Sequence, residues 1–460
     1  SGQGAGPQPN GGNYLNNNSS EVASVSISPR VRGNIAGAAI AFAPGGKQFG
    51  ERARWLGGWG HDAIVAAGGS WARVHARRFM HIMCHQAECK RCDYQCGGWN
   101  RDAVRGSMAG MNIAHWLERS ARQWPERPAL VLGHDVELNY RAFGQATAAL
   151  AGALRGRFGV APGERVVILS ANCPEMLLAL YAIWHCGAVA VPINAKLHPN
   201  EARFILEDCG ARLVCVSPEW GEALSQLEGF AMPTLAMGNE AWRSALQAAP
   251  IPIETRECDD LAWLFYTSGT TGRPKGAMLT HGNLIAMTLN YFADVDQVSE
   301  NDAILHAAPV SHGSGLYNFA HLLKGAAQVF PVSRGFNADE VIELLQVHRG
   351  VTMFAAPTMV KRLADRVEAT GAALPGLKTI VYGGGPMYVA DRLRSMRVFG
   401  PRLVEIYGQG ETPMTISVFS RAEHLNDSHP HRAARLASVG VPMSVVDVAI
   451  RGEGGAELPA

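Results

Sequence analysis

The strongest constraint on the fold is a rhythm of short apolar runs separated by stretches with helical spacing. Residues 165–169, Arg-Val-Val-Ile-Leu, read as a buried strand. Pro174 opens a helix that Gly187 stops, and residues 188–192 return as a strand. The pattern continues with a helix over 200–208, a strand over 212–216 and a helix capped by Thr280. Asn337 can cap a helix over 338–348 that Gly350 ends, before a strand at 351–355. A helix over 359–367, a strand over 378–382, a helix over 387–398 and a strand over 403–407 complete the series. Upstream, helical patterns at 112–124 and 140–154 flank a hairpin-like stretch at 129–139. Strands apolar throughout, alternating with helices, predict an α/β fold with mostly parallel sheets covered on both faces. Ligands in such folds sit in the loops at the carboxyl ends of the strands.

One of those loops is chemically unlike the rest. The apolar run 261–265 leads into Tyr266 to Gly276, YTSGTTGRPKG. Gly269, Gly272 and Gly276 permit backbone angles that other residues avoid, while Thr267, Ser268, Thr270 and Thr271 set hydroxyls beside exposed N–H groups. Such a loop can wrap an anion, and Lys275 adds a point charge whose donors suit phosphate oxygens. A P-loop requires Ser or Thr directly after its lysine, and here Gly276 follows. The plain alternative is a flexible Ser/Thr/Gly turn.

Those eleven residues closely resemble the signature of the adenylate-forming, or AMP-binding, family. Acyl-CoA synthetases of the fatty-acid–CoA ligase type, peptide-synthetase adenylation domains and luciferases belong to it. The resemblance runs from about Asn112 to the end of the chain. It implies the large N-terminal domain of that fold: parallel sheets flanked by helices, with a small distorted β-barrel. It also implies activation of a carboxylic acid, expected to be fatty or similarly apolar, by ATP to an acyl-AMP, followed by transfer to CoA.

Residue by residue, loop 267–276 with Lys275 would hold the β- and γ-phosphates of ATP. Gly383-Gly384-Gly385-Pro386 would line the adenine pocket; read alone, this is a turn whose missing side chains let a flat ring approach. Tyr407 would lie against adenine at the start of Tyr407-Gly408-Gln409-Gly410-Glu411-Thr412. Glu411 would hold Mg2+; read alone, it is either a surface carboxylate or a metal ligand, since a carboxylate at the end of a buried strand needs a partner. His312, within APVSHGSG at 308–315, would border the acyl carboxylate, with Gly315 and Tyr317 shaping an acyl tunnel; packing is the plain alternative. Residues 438–450, SVGVPMSVVDVAI, resemble a structural element of the family. One position departs. The family commonly has Thr where this chain has Gly410, and that hydroxyl contacts the α-phosphate in relatives, so Thr412 is the nearest substitute.

Beyond this point the family carries a ribose-binding aspartate, a hinge and a small C-terminal domain with a catalytic lysine. None is read in the sequence up to Ala460, so the stretch is expected to be truncated, with impaired adenylation and thioester formation. Other readings stay open: an adenylation domain that loads a carrier protein, or a nucleotide-binding pseudoenzyme.

Composition narrows the partners. A formal charge of +1 over 460 residues offers no electrostatic grip on nucleic acid, so a small-molecule site is expected. The longest apolar stretch, 176–193, contains His185, Gly187 and Pro192, which favours a buried helix and strand over an integral membrane segment. Cysteines at 173, 186, 209, 215 and 258 sit among apolar neighbours and read as reduced residues of a cytoplasmic protein. Residues 1–107 lack such patterning and are expected to be a disordered or non-native extension, with the AMP-binding domain over 108–460 and Met108 or Met111 as a natural start. Within the extension, Cys84, Cys89, Cys92 and Cys96, near His81 and His85, are spaced for zinc or an iron–sulfur cluster. Incidental cysteines in a loose segment are the alternative.

Overall fold

The computed structural model describes residues 62–67, 70–75, 111–267, 273–452 and 456–457. The cysteine cluster at 84–96, the rest of the expected extension and the loop residues Ser268, Gly269, Thr270, Thr271 and Gly272 lie outside that set. Asp62–Ala67 and Ser70–His75 pair as an antiparallel hairpin, which the periodicity does not predict.

Two larger sheets carry the rest. The six-stranded sheet runs in the order Lys275–Thr280, Leu261–Thr267, Val189–Asn194, Arg165–Ser170, Ala211–Val216 and Thr234–Ala236. All its neighbours are parallel except the first pair. The nine-stranded sheet has a parallel centre built from Leu403–Tyr407, Leu377–Tyr382, Val351–Ala355, Ala303–Leu305, Ala327–Phe330 and Pro128–Leu132. Antiparallel strands finish both of its edges: Asp135–Asn139 on one side, Ser417–Phe419 and Val441–Pro442 on the other.

Local chemistry explains most helix starts. The Asn139 side chain accepts from Ala142 N, the Thr280 side chain from Asn283 N, and the Asn337 side chain from Asp339 N and Glu340 N. The helix expected over 359–367 is longer, Pro357–Thr370, because proline is favoured in the first turn and Gly371, at φ 65°, supplies the left-handed exit.

Helix Pro174–His185 is buried along its whole length, and its position says why. Trp184 Nε1 donates to Ala262 O of the six-stranded sheet at 2.7 Å, while its ring meets Phe319 at 5.4 Å. Phe319 belongs to helix Asn318–Leu323, just before a strand of the nine-stranded sheet, so Pro174–His185 is wedged between the two sheets. Each large aliphatic side chain withdrawn from water there contributes about 1.5–3 kcal/mol. No helix among the described residues is long and apolar enough to cross a membrane.

One expectation needs correction. The loop read over 266–276 ends earlier: Lys275–Thr280 is a strand, antiparallel to Leu261–Thr267, with Lys275 opposite Thr267 and Gly276 opposite Tyr266, and the helix capped by Thr280 follows it. Ala277 and Leu279 are buried while Met278 between them is exposed, the alternation of a half-buried edge strand, and Lys275 is exposed at the strand's first position.

Candidate functional site

The glycine- and threonine-rich segment is a hairpin connection. Its two ends are held by Thr267 and by exposed Lys275, which are paired across the ladder. Below them the Tyr266 phenol donates to Asp208 Oδ2 at 2.5 Å, and its ring crosses Gly276 so closely that a β-carbon there would stand 3.1 Å from Tyr266 Cζ. Close approach of the Tyr266 ring, and not an unusual backbone angle, is what favours glycine at 276. Arg273, at the outer end of the connection, lies over the Phe204 ring at 5.9 Å.

The second component follows strand Leu403–Tyr407. Residues 408–414 double back on themselves: Gln409 bridges Pro413, and Ile416 N donates to Tyr407 O at 3.0 Å. Met414 has φ 62°, a conformation rare outside glycine, and a β-carbon on Gly408 would meet its backbone at 2.5 Å. This turn brings Gly410 onto the end of strand Leu261–Thr267. A β-carbon at 410 would lie 2.7 Å from Phe265 Cδ1 and 2.8 Å from Thr267 Cγ2. The missing side chain at 410 therefore has a packing cause, because the two sheets meet there. Thr412 Oγ1, the nearest alternative hydroxyl, is buried with no hydrogen-bond partner among the described residues.

Glu411 is half-buried in this turn. Burial raises its carboxyl pKa above the ordinary range, a hydrogen bond from its own backbone opposes the rise, and the positive charge of Lys275 opposes it further. Lys275 faces Thr267 across the ladder, and Thr267 lies against Gly410, the residue before Glu411, which places Lys275 and Glu411 in one neighbourhood. Tyr407, beside them, has its phenol pushed up by burial, with Gln409 Nε2 reaching its oxygen at 3.5 Å.

His312 is the third component. Its ring meets Phe265 edge-on at 5.3 Å, so the residue that walls Gly410 also touches the histidine. Ser311 Oγ engages His312 Nδ1 at 2.8 Å, and burial lowers the imidazole pKa, which keeps the ring neutral. The loop behind it is stapled by Asn172, which sequence reasoning missed. Its amide donates to His306 O and Ala308 O, both at 2.7 Å, and accepts from Val310 N at 2.9 Å. His306 in turn is held between Ser314 Oγ at 2.8 Å and Gln328 Oε1 at 2.9 Å.

Gly383, Gly384, Gly385 and Pro386 follow strand Leu377–Tyr382, beside the Tyr407 strand. A β-carbon on Gly383 would lie 2.5 Å from Ile406 O, whereas Gly384, at φ 79°, has open space around it. Among the described residues no cluster of three His, Cys, Asp or Glu side chains is arranged around a metal. A surface cavity of about 380 Å³ lined by Arg203, Phe230 and Met232 lies beside strands Ala211–Val216 and Thr234–Ala236, at the opposite edge of the six-stranded sheet from Lys275.

The family model for "AMP-binding enzyme" matches residues 117–460. The chain belongs to that family. Among AMP-binding relatives, a feruloyl-CoA synthase from an Amycolatopsis species is 33% identical over 354 residues, 76% of this chain and 68% of the relative. A long-chain-fatty-acid–CoA ligase from Thermus thermophilus is 29% identical over 369 residues, 76% of this chain and 66% of the relative. In solved structures, the inhibitor-bound N-terminal domain of FACL13 from Mycobacterium tuberculosis superposes with a TM-score of 0.65 at 25% identity, covering 75% of this chain and 86% of that one. The chain spans about two thirds of the length of the curated AMP-binding relatives it matches, 68% and 66% in these two cases.

Proposed function

We propose that this AMP-binding enzyme activates a carboxylic acid with ATP and passes the acyl group to CoA. The observation that carries the reading is that the turn bearing Glu411 packs, through Gly410, against Thr267, the residue that Lys275 faces across the ladder. A carboxylate oxygen attacks the α-phosphorus of ATP, the bond to pyrophosphate breaks, and a mixed anhydride with AMP results. The CoA thiolate then attacks the acyl carbon and AMP leaves. Negative charge grows on the departing phosphates in the first step, and placement with charge stabilisation is what a protein can supply.

Lys275 and the segment it closes, Thr267 to Gly272, take the β- and γ-phosphates in this reading. Glu411 suits Mg2+, because a half-buried carboxylate offers a hard oxygen ligand and a bound cation would offset the cost of burying its charge. When bound, that ion offsets phosphate charge. The open face at Gly384, with Gly385 and Pro386, accepts adenine against Tyr407. Thr412 supplies the hydroxyl for the α-phosphate that Gly410 lacks. His312, neutral and anchored through Nδ1, presents its other nitrogen to the acid's carboxylate, and the aromatic wall of Phe265, Tyr317 and Phe354 suits an acid with an apolar body, fatty or aromatic. The named relatives act on feruloyl and long-chain fatty acyl groups, and this wall accommodates either chemistry. Four buried free cysteines among the described residues, Cys173, Cys186, Cys209 and Cys215, support a reducing, cytoplasmic setting.

Acid-dependent ATP–pyrophosphate exchange tests the reading. Lys275→Ala and Glu411→Ala are each expected to slow exchange about a hundredfold or more, with unchanged thermal unfolding. Near-normal exchange in both variants would remove the case for this site.

A further inference from the structure

Behind His312 the structure buries polar atoms that the protein itself does not satisfy. Tyr317 and Tyr291 are 2% and 1% exposed, Thr352 1% and His321 0%. Tyr317 Oη, Tyr291 Oη, Thr352 Oγ1 and His321 Nε2 all lack a hydrogen-bond partner among the described residues. These groups are neighbours. The Tyr291 and Tyr317 rings meet edge-on at 4.8 Å, and Tyr291 and His321 at 5.7 Å. The Thr352 hydroxyl is close enough to Tyr291 to oppose the rise that burial imposes on its phenol, yet neither completes a hydrogen bond.

The group is contiguous with the acid end of the site. Tyr317 N donates to Gly313 O at 3.3 Å, the Tyr317 ring meets Phe354 at 6.0 Å, and a β-carbon on Gly313 would stand 2.6 Å from the Phe354 ring. A path therefore runs from His312, past Gly313 and Phe354, to the phenols. Each unmet donor or acceptor in such a place carries a desolvation penalty of about 1–3 kcal/mol, and several gathered together imply a group that meets them.

We propose that these phenols and hydroxyls form a polar floor that recognises a neutral hydrogen-bonding group, a hydroxyl or a carbonyl, at the end of the acid remote from its carboxylate. This deepens the ligase reading and rests on it. The floor is uncharged: burial pushes the His321 imidazole down to about 4 and both phenols well up, and the nearby Asp302 carboxylate is already paired with Lys378 at 2.7 Å. A second carboxylate on the acid would meet no cation there, whereas a hydroxyl can both donate to His321 Nε2 and accept from a phenol.

The test compares matched acids on the full chain: cinnamic with 4-hydroxycinnamic acid, and nonanoic with 9-hydroxynonanoic acid. Dissociation constants and acid-dependent pyrophosphate exchange are measured for wild type, Tyr291→Phe and Thr352→Val. In at least one pair the hydroxylated acid is expected to bind wild type about tenfold more tightly, and both variants are expected to reduce that preference to under twofold while leaving the plain acid's constant unchanged. Loss of affinity for both acids alike would mark a merely structural role and overturn the floor. Equal binding of the members of both pairs to wild type, or a preference that survives in both variants, overturns it too while leaving the ligase reading intact. Failure of every acid to bind or to drive exchange removes the ligase reading, and the floor with it.

Discussion

At the scale of single residues, Gly410 decides more than its size suggests. The family resemblance implies threonine where this chain has glycine, and read alone that suggests a weakened site. The contacts give another reason: Phe265 and Thr267 occupy the space a side chain would need, at 2.7 and 2.8 Å from a β-carbon. Gly410→Thr is therefore expected to lower the unfolding free energy by about 1–3 kcal/mol through overpacking, and not to raise pyrophosphate exchange. Denaturant titration alongside the exchange assay checks both. Lys275 is legible as a candidate from the chemistry of its loop, and Glu411, His312 and Tyr407 from the family resemblance. Phe265 was not, since its role as the wall between Gly410 and His312 depends on two loops far away in sequence. The same holds for the unpartnered phenols: a tyrosine in an apolar run gives no sign that its oxygen lacks a partner.

At the scale of elements, the interior strands and capped helices were readable because each carries its own signal, such as the Thr280 and Asn337 caps or the apolar run ending at Ser170. The edge strand Lys275–Thr280 carries a weaker one, because its alternation is short and follows a glycine-rich turn. The hairpin it forms sets Lys275 against Thr267 by ladder register, which is a more rigid placement than a loop would give. Asn172 is another element-scale device, tying the segment after strand Arg165–Ser170 to the backbone before His312. Asn172→Ala removes a buried amide that serves two carbonyls and one N–H. It is expected to lower stability by about 2–4 kcal/mol and to raise KM for the acid more than KM for ATP. Steady-state kinetics with each substrate varied in turn separates the two constants.

At the scale of the whole molecule, several histidines are built in as neutral core residues. Burial lowers the pKa to about 3 for His281 and to about 4 for His306, His321 and His424. Their unfolded values lie near 6.5, so below that pH the unfolded chain binds more protons than the folded one, and stability rises with pH. The contribution is fully present above about pH 6.5 and is lost as pH falls toward 4, with a slope of up to about 1.4 kcal/mol per pH unit for each histidine. Midpoints of denaturant unfolding between pH 7.5 and 4.5 should fall accordingly, and a flat profile would contradict the burial argument. The meeting of Leu261–Thr267 with the turn after Leu403–Tyr407 has one more consequence. A nucleotide seated between Lys275 and Glu411 would act as a rivet through two otherwise separate plates. Amide protons of Lys275–Thr280 and Ser417–Phe419 should then exchange with deuterium more slowly in step when ATP is added, although neither strand borders the other.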